Sequence, residues 1–428
     1  MNYIKKLDVI SLGNKLFLIG IFFLPSALPI SILFLFSSII ISFSKDASIL
    51  IKDKLNYPLL VSIGLIIFST INLGFIKEPN LLSNYNLQIA WINLFNWIPA
   101  FFIYCGFQIY LMSHIQRVKF SKYLVSGCFP VLISFILQKY FNLFGPFETL
   151  NGLIVWFQRP VNYHRYSGLF SNANYAGIWL ALVLPFSLFL LQKSESNFWR
   201  RSIIKILCIS IAYAILLSAS RNALIGIFIT ITVLYGLKRF FVLTSISIST
   251  FFAWGLINPL INGKKFLTSY IDQNILIDRL ININFLDAPR LEIWRSALSR
   301  IKDRPLFGWG PSTFPILHDK YNDTLSNPVA AAHAHNMPLE LAHNFGIPLA
   351  LILISTLFLL LFRAIKSTYD ENNLNENIIL NKAWIASTLI IISSHLSDIT
   401  YYDGKISILI CTLFAGLKCI GNKSTNYK

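Results

Sequence analysis

Two of the seven histidines stand two apart in Ala332-His333-Ala334-His335-Asn336-Met337-Pro338-Leu339-Glu340, just ahead of an apolar run that opens at Gly346. Imidazole is the side chain best matched to taking a proton near neutral pH, so His335 is a candidate general base, with His333 and Asn336 beside it. Three arginines stand in settings suited to an anion. Arg165 precedes Tyr166-Ser167-Gly168-Leu169-Phe170-Ser171-Asn172-Ala173-Asn174, Arg221 follows Ser218-Ala219-Ser220, and Arg290 opens Arg290-Leu291-Glu292-Ile293-Trp294-Arg295. A planar guanidinium grips phosphate oxygens bidentately, so arginines near a neutral histidine suit transfer from a diphosphate carrier to a hydroxyl.

Each group also has a plainer reading. The histidines can be a hydrogen-bonded structural pair, and an arginine at the end of an apolar run can simply snorkel. Zinc is a rival, because His318, His343 and Glu340 lie close in sequence to His333 and His335. HExxH is absent and no Cys accompanies them, so no metal is expected. Arg304-Pro305-Leu306-Phe307-Gly308-Trp309-Gly310-Pro311 sets two glycines around a tryptophan, which lets the backbone approach a ligand or another helix closely. The stretch 289–303 has apolar residues at 291, 294, 298 and 301. It predicts an amphipathic helix, lying along a membrane interface with Arg290, Arg295 and Arg300 toward anionic groups, or packed with its arginines solvated.

The elements that must position these residues are membrane spans. The chain has 428 residues, 55% hydrophobic and 13% charged, with mean hydropathy +0.61; ordinary globular domains carry about 25% charged residues. A soluble enzyme is excluded, and the fold class is an all-α polytopic membrane protein. Apolar runs near bilayer length predict about twelve transmembrane helices. Two short ones meet at Pro25 and Pro29 within Leu16–Phe43, and the rest lie near 57–76, 89–112, 122–140, 175–192, 203–218, 222–237, 240–260, 346–363, 380–397 and 405–420. Residues 1–260 thus form an N-terminal block with an outward loop near 141–174. Residues 261–345 form a large, partly helical outward loop, 346–420 the C-terminal spans, and 421–428 a tail. Long loops of this kind usually carry function. The five cysteines sit singly in or beside apolar runs and read as small core residues.

The net charge of +17 is topological. With both termini cytoplasmic, 21 of the 36 Lys and Arg fall in alternate connections facing one side, while the nine in the large loop are nearly balanced by eight acids. Short basic inner loops follow the positive-inside rule, so the charge implies no nucleic-acid partner. Under this topology Arg165, Arg221, Arg290 and His335 converge on the outer face.

In order and spacing these motifs resemble the O-antigen ligase and polymerase family of bacterial envelope glycosyltransferases. The matching pieces are Arg165 to Asn174, Ser220-Arg221, Arg290 with Trp294, Arg304 to Gly310, and His335-Asn336 with Leu339-Glu340 before Gly346-Ile347-Pro348. Ala173 stands where proline is common, and Asn222 where a small residue is common. The resemblance implies an inner-membrane enzyme with its large loop in the periplasm. It implies transfer of glycan from undecaprenyl pyrophosphate to lipid A core in ligases, or to another carrier-linked repeat in polymerases, without nucleotide, metal or other cofactor. His335 would be the catalytic base, Arg221 and Arg290 would hold the pyrophosphate, and Arg165 would line the same cavity. His333, Asn336, Asn174, Gly308 and Gly310 would support them. Asp398, in the polar stretch Ser393–Asp403, is an acceptor-side candidate. Membrane lipids and a chain-length regulator are the further partners such a role suggests. A solute or bicarbonate transporter is the alternative of another class, against which stands the lack of a half-repeat or a central ionisable pair.

Overall fold

The computed structural model describes residues 2–46, 53–76, 82, 85–145, 147–149, 151, 154–157, 165–194, 198–242, 244–246, 249, 288–322, 330–370 and 375–422. In lipid every backbone N–H and C=O must be paired within its own segment, so the apolar runs fold as helices. They are α1 (Asn2–Phe23), α2 (Leu28–Asp46), α3 (Tyr57–Leu73), α4 (Leu87–Asn93), α5 (Ile98–Gly106), α6 (His114–Phe141), α7 (Ala173–Lys193), α8 (Phe198–Ser218), α9 (Arg221–Tyr235), α10 (Ala288–Asp303), α11 (Phe314–Asn322), α12 (Met337–Phe345), α13 (Ile347–Thr368), α14 (Asn375–His395) and α15 (Gly404–Gly421). A two-stranded antiparallel hairpin, β1 (Phe147–Thr149) with β2 (Ile154–Phe157), sits in the loop after α6.

Among the described residues nine helical stretches are long and apolar enough to cross a membrane, and Val9–Phe23 and Arg221–Tyr235 are shorter apolar helices. The chain is an all-α, multi-pass membrane protein. The expected span over 240–260 lies largely outside the described residues, as do 152, 153 and 158–164 of the first outward loop, 261–287 of the large loop, and the tail from 423.

Two of the expected spans are present with a different internal structure or start. The one at 89–112 is interrupted: α4 ends at Asn93, a 3-10 turn follows, and Pro99 restarts the helix as α5. Proline lacks the N–H that would continue the ladder, so it is accommodated in a first turn. The helix expected at 122–140 begins eight residues earlier, at His114, where Ser113 and Gln116 form a reciprocal capping box.

The core is built around α7, whose side chains are buried on nearly all sides. It packs against α6, α8, α9 and α14. A helix apolar all round belongs at the centre of a bundle. The connections assigned by charge to one face meet at one end: Lys418 Nζ lies 2.7 Å from Asp53 Oδ2 and donates to Asn56 and Gln108, each at 2.8 Å. Arg165, Ser218, His335 and Asp398 gather elsewhere, where the remaining connections meet.

Candidate active site

The histidine turn is held by the start of α12. Asn336 caps that helix, its Oδ1 accepting from Leu339 N at 3.1 Å while its Nδ2 donates to Leu396 O at 3.0 Å. One turn on, the Glu340 carboxylate folds back to accept the Ala334 N–H at 2.9 Å, the Asn344 amide at 2.9 Å and the Tyr402 hydroxyl at 2.7 Å. Glu340 is 2% exposed. Three donors on a buried carboxylate offset the cost of its burial and fix the backbone between the two histidines. His335 itself has φ +48°, a left-handed conformation that costs a side chain with a Cβ about 1–2 kcal/mol. Such strain at a candidate catalytic residue is consistent with a function that requires that backbone.

His335 Nδ1 lies 3.3 Å from Asp398 Oδ1. The same oxygen accepts Ile399 N at 2.9 Å, and Oδ2 accepts Asn174 Nδ2 at 3.3 Å. Arg165 completes the chain, donating from Nη2 to Asn174 Oδ1 and from Nε to Ser218 O at 3.1 Å. Burial pushes the Asp398 carboxyl up, but the His335 hydrogen bond and charge, the Ile399 N–H and His333 outweigh it and hold the group below the usual carboxylate range. An ionised carboxylate can only accept, so in its neutral form His335 carries its proton on Nδ1 and presents Nε2 as a base. Burial, then the neighbouring His335 charge, lower the His333 pKa.

The other two arginines are placed by their neighbours. Arg221 opens α9 just after Ala219, which also has a left-handed backbone at φ +47°. The next residue, Asn222, accepts the Ser397 hydroxyl at 3.0 Å, so this helix start abuts the Ser397-Asp398 segment. Arg290 is half-buried in the first turn of α10, on the face that carries Ile293 and Ala297. Those two residues pack with Phe314 and with Ala334, between the histidines. The buried stripe is therefore Ile293, Ala297 and Ile301 with Trp294, not the 291-294-298-301 series read from the sequence; Leu298 is 48% exposed. Of the other arginines, Arg295 is paired with Glu292 and Arg300 with Asp303.

Two apolar grooves start beside this cluster. One, of about 210 Å³, runs from Met337, Pro338 and Leu396 down past Leu353 and Leu360 to Leu59. The other, of about 980 Å³, runs from Tyr402 and Asn96 along α2 to Ser44. The Trp97 and Tyr401 rings, stacked at 4.9 Å, stand between α5 and α15 and line the first groove together.

Residues 167–354 match the family model described as O-antigen ligase. Over this stretch the chain is similar to the O-antigen ligase family. The match supports ligase- or polymerase-like function, and no curated protein matches the chain. The matched segment holds Asn174, Arg221, Arg290, His333, His335 and Asn336; Arg165 lies just before it and Asp398 beyond it, and both join the site through the fold.

Gly308 and Gly310 serve close backbone packing. Their φ values are +66° and +88°, and an added Cβ would stand 2.5 Å from His343 O and 2.7 Å from Leu73 respectively. Trp309 N and Gly310 N donate to His343 O and Asn344 O, at 2.8 and 2.9 Å, and Ser69 Oγ donates to Phe307 O and Asn344 O. The approach is to another helix: the loop after α10 is stitched onto α12 and α3.

His333, His335 and Asp398 form a group whose ligating atoms all lie within 4.8 Å of one another, close enough to share a cation. One hydrogen bond bears on that use: His333 Nδ1 accepts the His335 backbone N–H at 3.3 Å, which leaves its proton on Nε2, while His335 Nδ1 pairs with Asp398 and leaves Nε2 open. His318 and His343 pack instead on the ring of Phe314. His343 is 0% exposed, with Nε2 unpartnered, and burial lowers its pKa to about 4. The unfolded chain therefore binds this proton first as pH falls through 6.5, and stability is lost progressively until about 4, by about 3 kcal/mol at most. His343→Phe should flatten that loss. Melting temperatures in detergent at pH 7 and pH 4.5 test it, and an equal acid shift in both proteins would refute it.

Sequence reasoning gives Asp398 an acceptor-side place, and Glu340 a place near a hypothetical zinc and in a family-like motif, but no part in holding the histidine turn. The missing signal is long-range: Asp398 meets residues 63 and 224 positions away, and nothing local announces that pairing.

Proposed function

We propose that the protein transfers glycan from undecaprenyl pyrophosphate to an acceptor hydroxyl on the periplasmic side of the bacterial inner membrane, without metal or nucleotide. The observation that carries this reading is the Arg165–Asn174–Asp398–His335 chain, which leaves one imidazole nitrogen as a base beside two arginine-bearing helix starts. His335 Nε2 takes the proton from the acceptor hydroxyl as its oxygen bonds to the anomeric carbon. The bond from that carbon to the pyrophosphate oxygen breaks, and the leaving group departs with the electron pair and inverted geometry at carbon. Asp398 stabilises the imidazolium so formed, while Arg221 and Arg290 stabilise the developing pyrophosphate charge. Arg165 is engaged with Ser218 and Asn174, which supports a role in holding the site together as well as in lining it. An apolar groove beside Leu396 and Met337 suits the carrier's tail. The acceptor is a lipid A core sugar in the ligase form of the reaction and a carrier-linked glycan in the polymerase form, where a chain-length regulator would act.

The arginine assignment is tested by donor kinetics. Losing a charge-assisted bidentate contact costs about 1.5–3 kcal/mol, so Arg221→Ala and Arg290→Ala should each raise the donor KM roughly ten- to a hundredfold and leave the acceptor KM unchanged. Equal losses toward both substrates would remove the assignment.

A further inference from the structure

Lys405 is a cation 9% exposed in the first turn of α15, and the reaction proposed above does not use it. Burying an ammonium is costly unless it is paired or hydrogen-bonded. Its Nζ donates to Leu169 O at 2.6 Å and stands 4.6 Å above the Phe170 ring. Leu169 and Phe170 belong to the buried turn between Arg165 and Asn172, the residue that caps α7.

The same turn is gripped from another helix. Gln138 of α6 accepts Ser167 N and Gly168 N on Oε1, at 3.2 and 2.8 Å, and donates from Nε2 to Gly168 O at 3.2 Å. Gly168 has φ +56°, and a Cβ there would lie 2.6 Å from Ser134 Oγ, so the turn fits its seat in one conformation. Buried backbone groups are nearly always paired, and here Ser167 N, Gly168 N, Gly168 O and Leu169 O are paired by side chains of two different membrane helices. What the turn carries at its ends is Arg165 on one side and Asn174 on the other, the two donors behind Asp398. Lys405 also lies seven residues after Asp398, on the far side of the same connection. It thereby ties together the two segments that must meet for Asn174 to reach the carboxylate.

We infer that Lys405 is a positioning residue, which with Gln138 clamps the 165–172 turn so that Asn174 holds Asp398, and through it His335, in register. The inference rests on the proposed transfer reaction for its consequence, but the clamp itself can be read without that reaction. Lys405→Met keeps the stem and removes the donor. In nanodiscs, amide hydrogen exchange over 166–172 should speed up about tenfold or more while α14 and the body of α15 are unchanged. Transfer should fall about tenfold, and Lys405→Met combined with Asn174→Ala should be within twofold of Asn174→Ala alone, because both act through one contact. Gln138→Leu should give the same local exchange and the same lack of additivity, and it serves where Lys405→Met does not fold. Unchanged exchange at 166–172, or losses that multiply in the double variant, would overturn the inference. Wild-type protein that transfers no glycan would remove the proposed function instead. A transferring wild type whose turn is indifferent to both substitutions would remove the clamp alone.

Discussion

His335→Ala is expected to lower turnover by about 10²–10⁴-fold, the range a positioned general base contributes, while the protein remains folded and holds its donor. The reason is local. His335 Nδ1 is committed to Asp398, so the remaining ring nitrogen is the proton acceptor this site offers, and alanine supplies none. The residue sits at φ +48°, a backbone held by the Glu340 and Asn336 hydrogen bonds around it, which alanine leaves in place. His335→Asn is the companion variant, because asparagine tolerates the left-handed region and still lacks a base of suitable strength. Both should lose turnover to a similar extent in single-turnover transfer assays, with donor binding within a few fold of wild type. A variant of either kind with full turnover would end the assignment of His335 as base.

Asp398→Asn is expected to be nearly as damaging, although it removes no shape. The amide can donate where the carboxylate only accepts, so it favours the imidazole tautomer with its proton on Nε2, the wrong nitrogen for a base. In a Ser-His-Asp site the same exchange costs about 10⁴ in kcat. Here the contact is 3.3 Å and His335 is 32% exposed, so a loss of about 10²–10³ is expected. The pH behaviour follows from the direction of the Asp398 shift. Its folded pKa lies below the usual 3.8, so the ionised contact is fully present above that value and is lost only as pH falls through the lower one. The ratio of wild-type to Asp398→Asn turnover should therefore stay well above one from pH 5 to pH 8. A ratio that collapses toward one anywhere in that window would mean that Asp398 does not act as the ionised partner of His335.

The sequence made the membrane architecture legible because apolar runs of bilayer length have few alternative folds in lipid. It also singled out Arg165, Arg221, Arg290 and His335, since charged or titratable groups at span ends stand out against a chain only 13% charged. What it hid was pairing between distant segments. Asn222, an unusual residue after Arg221, is explained once Ser397 is seen donating to it. The α10 stripe was misread because Leu298 looks like a core residue by type, whereas Ala297 and Ser296 are the ones buried. Periodicity of large apolar residues alone does not reveal a face built on small ones. Lys405 was equally silent, since a lysine at the start of a span reads as solvated until Leu169 and Phe170 are seen around it.

The most direct measurement is glycan transfer in proteoliposomes from purified undecaprenyl-pyrophosphate oligosaccharide, with lipid A core and a carrier-linked acceptor offered separately to wild type and His335→Ala. The account predicts product on one acceptor with wild type, undiminished by a chelator, and product reduced at least a hundredfold with His335→Ala. Wild-type protein that transfers glycan to neither acceptor, or a His335→Ala variant that transfers as well as wild type, would contradict it.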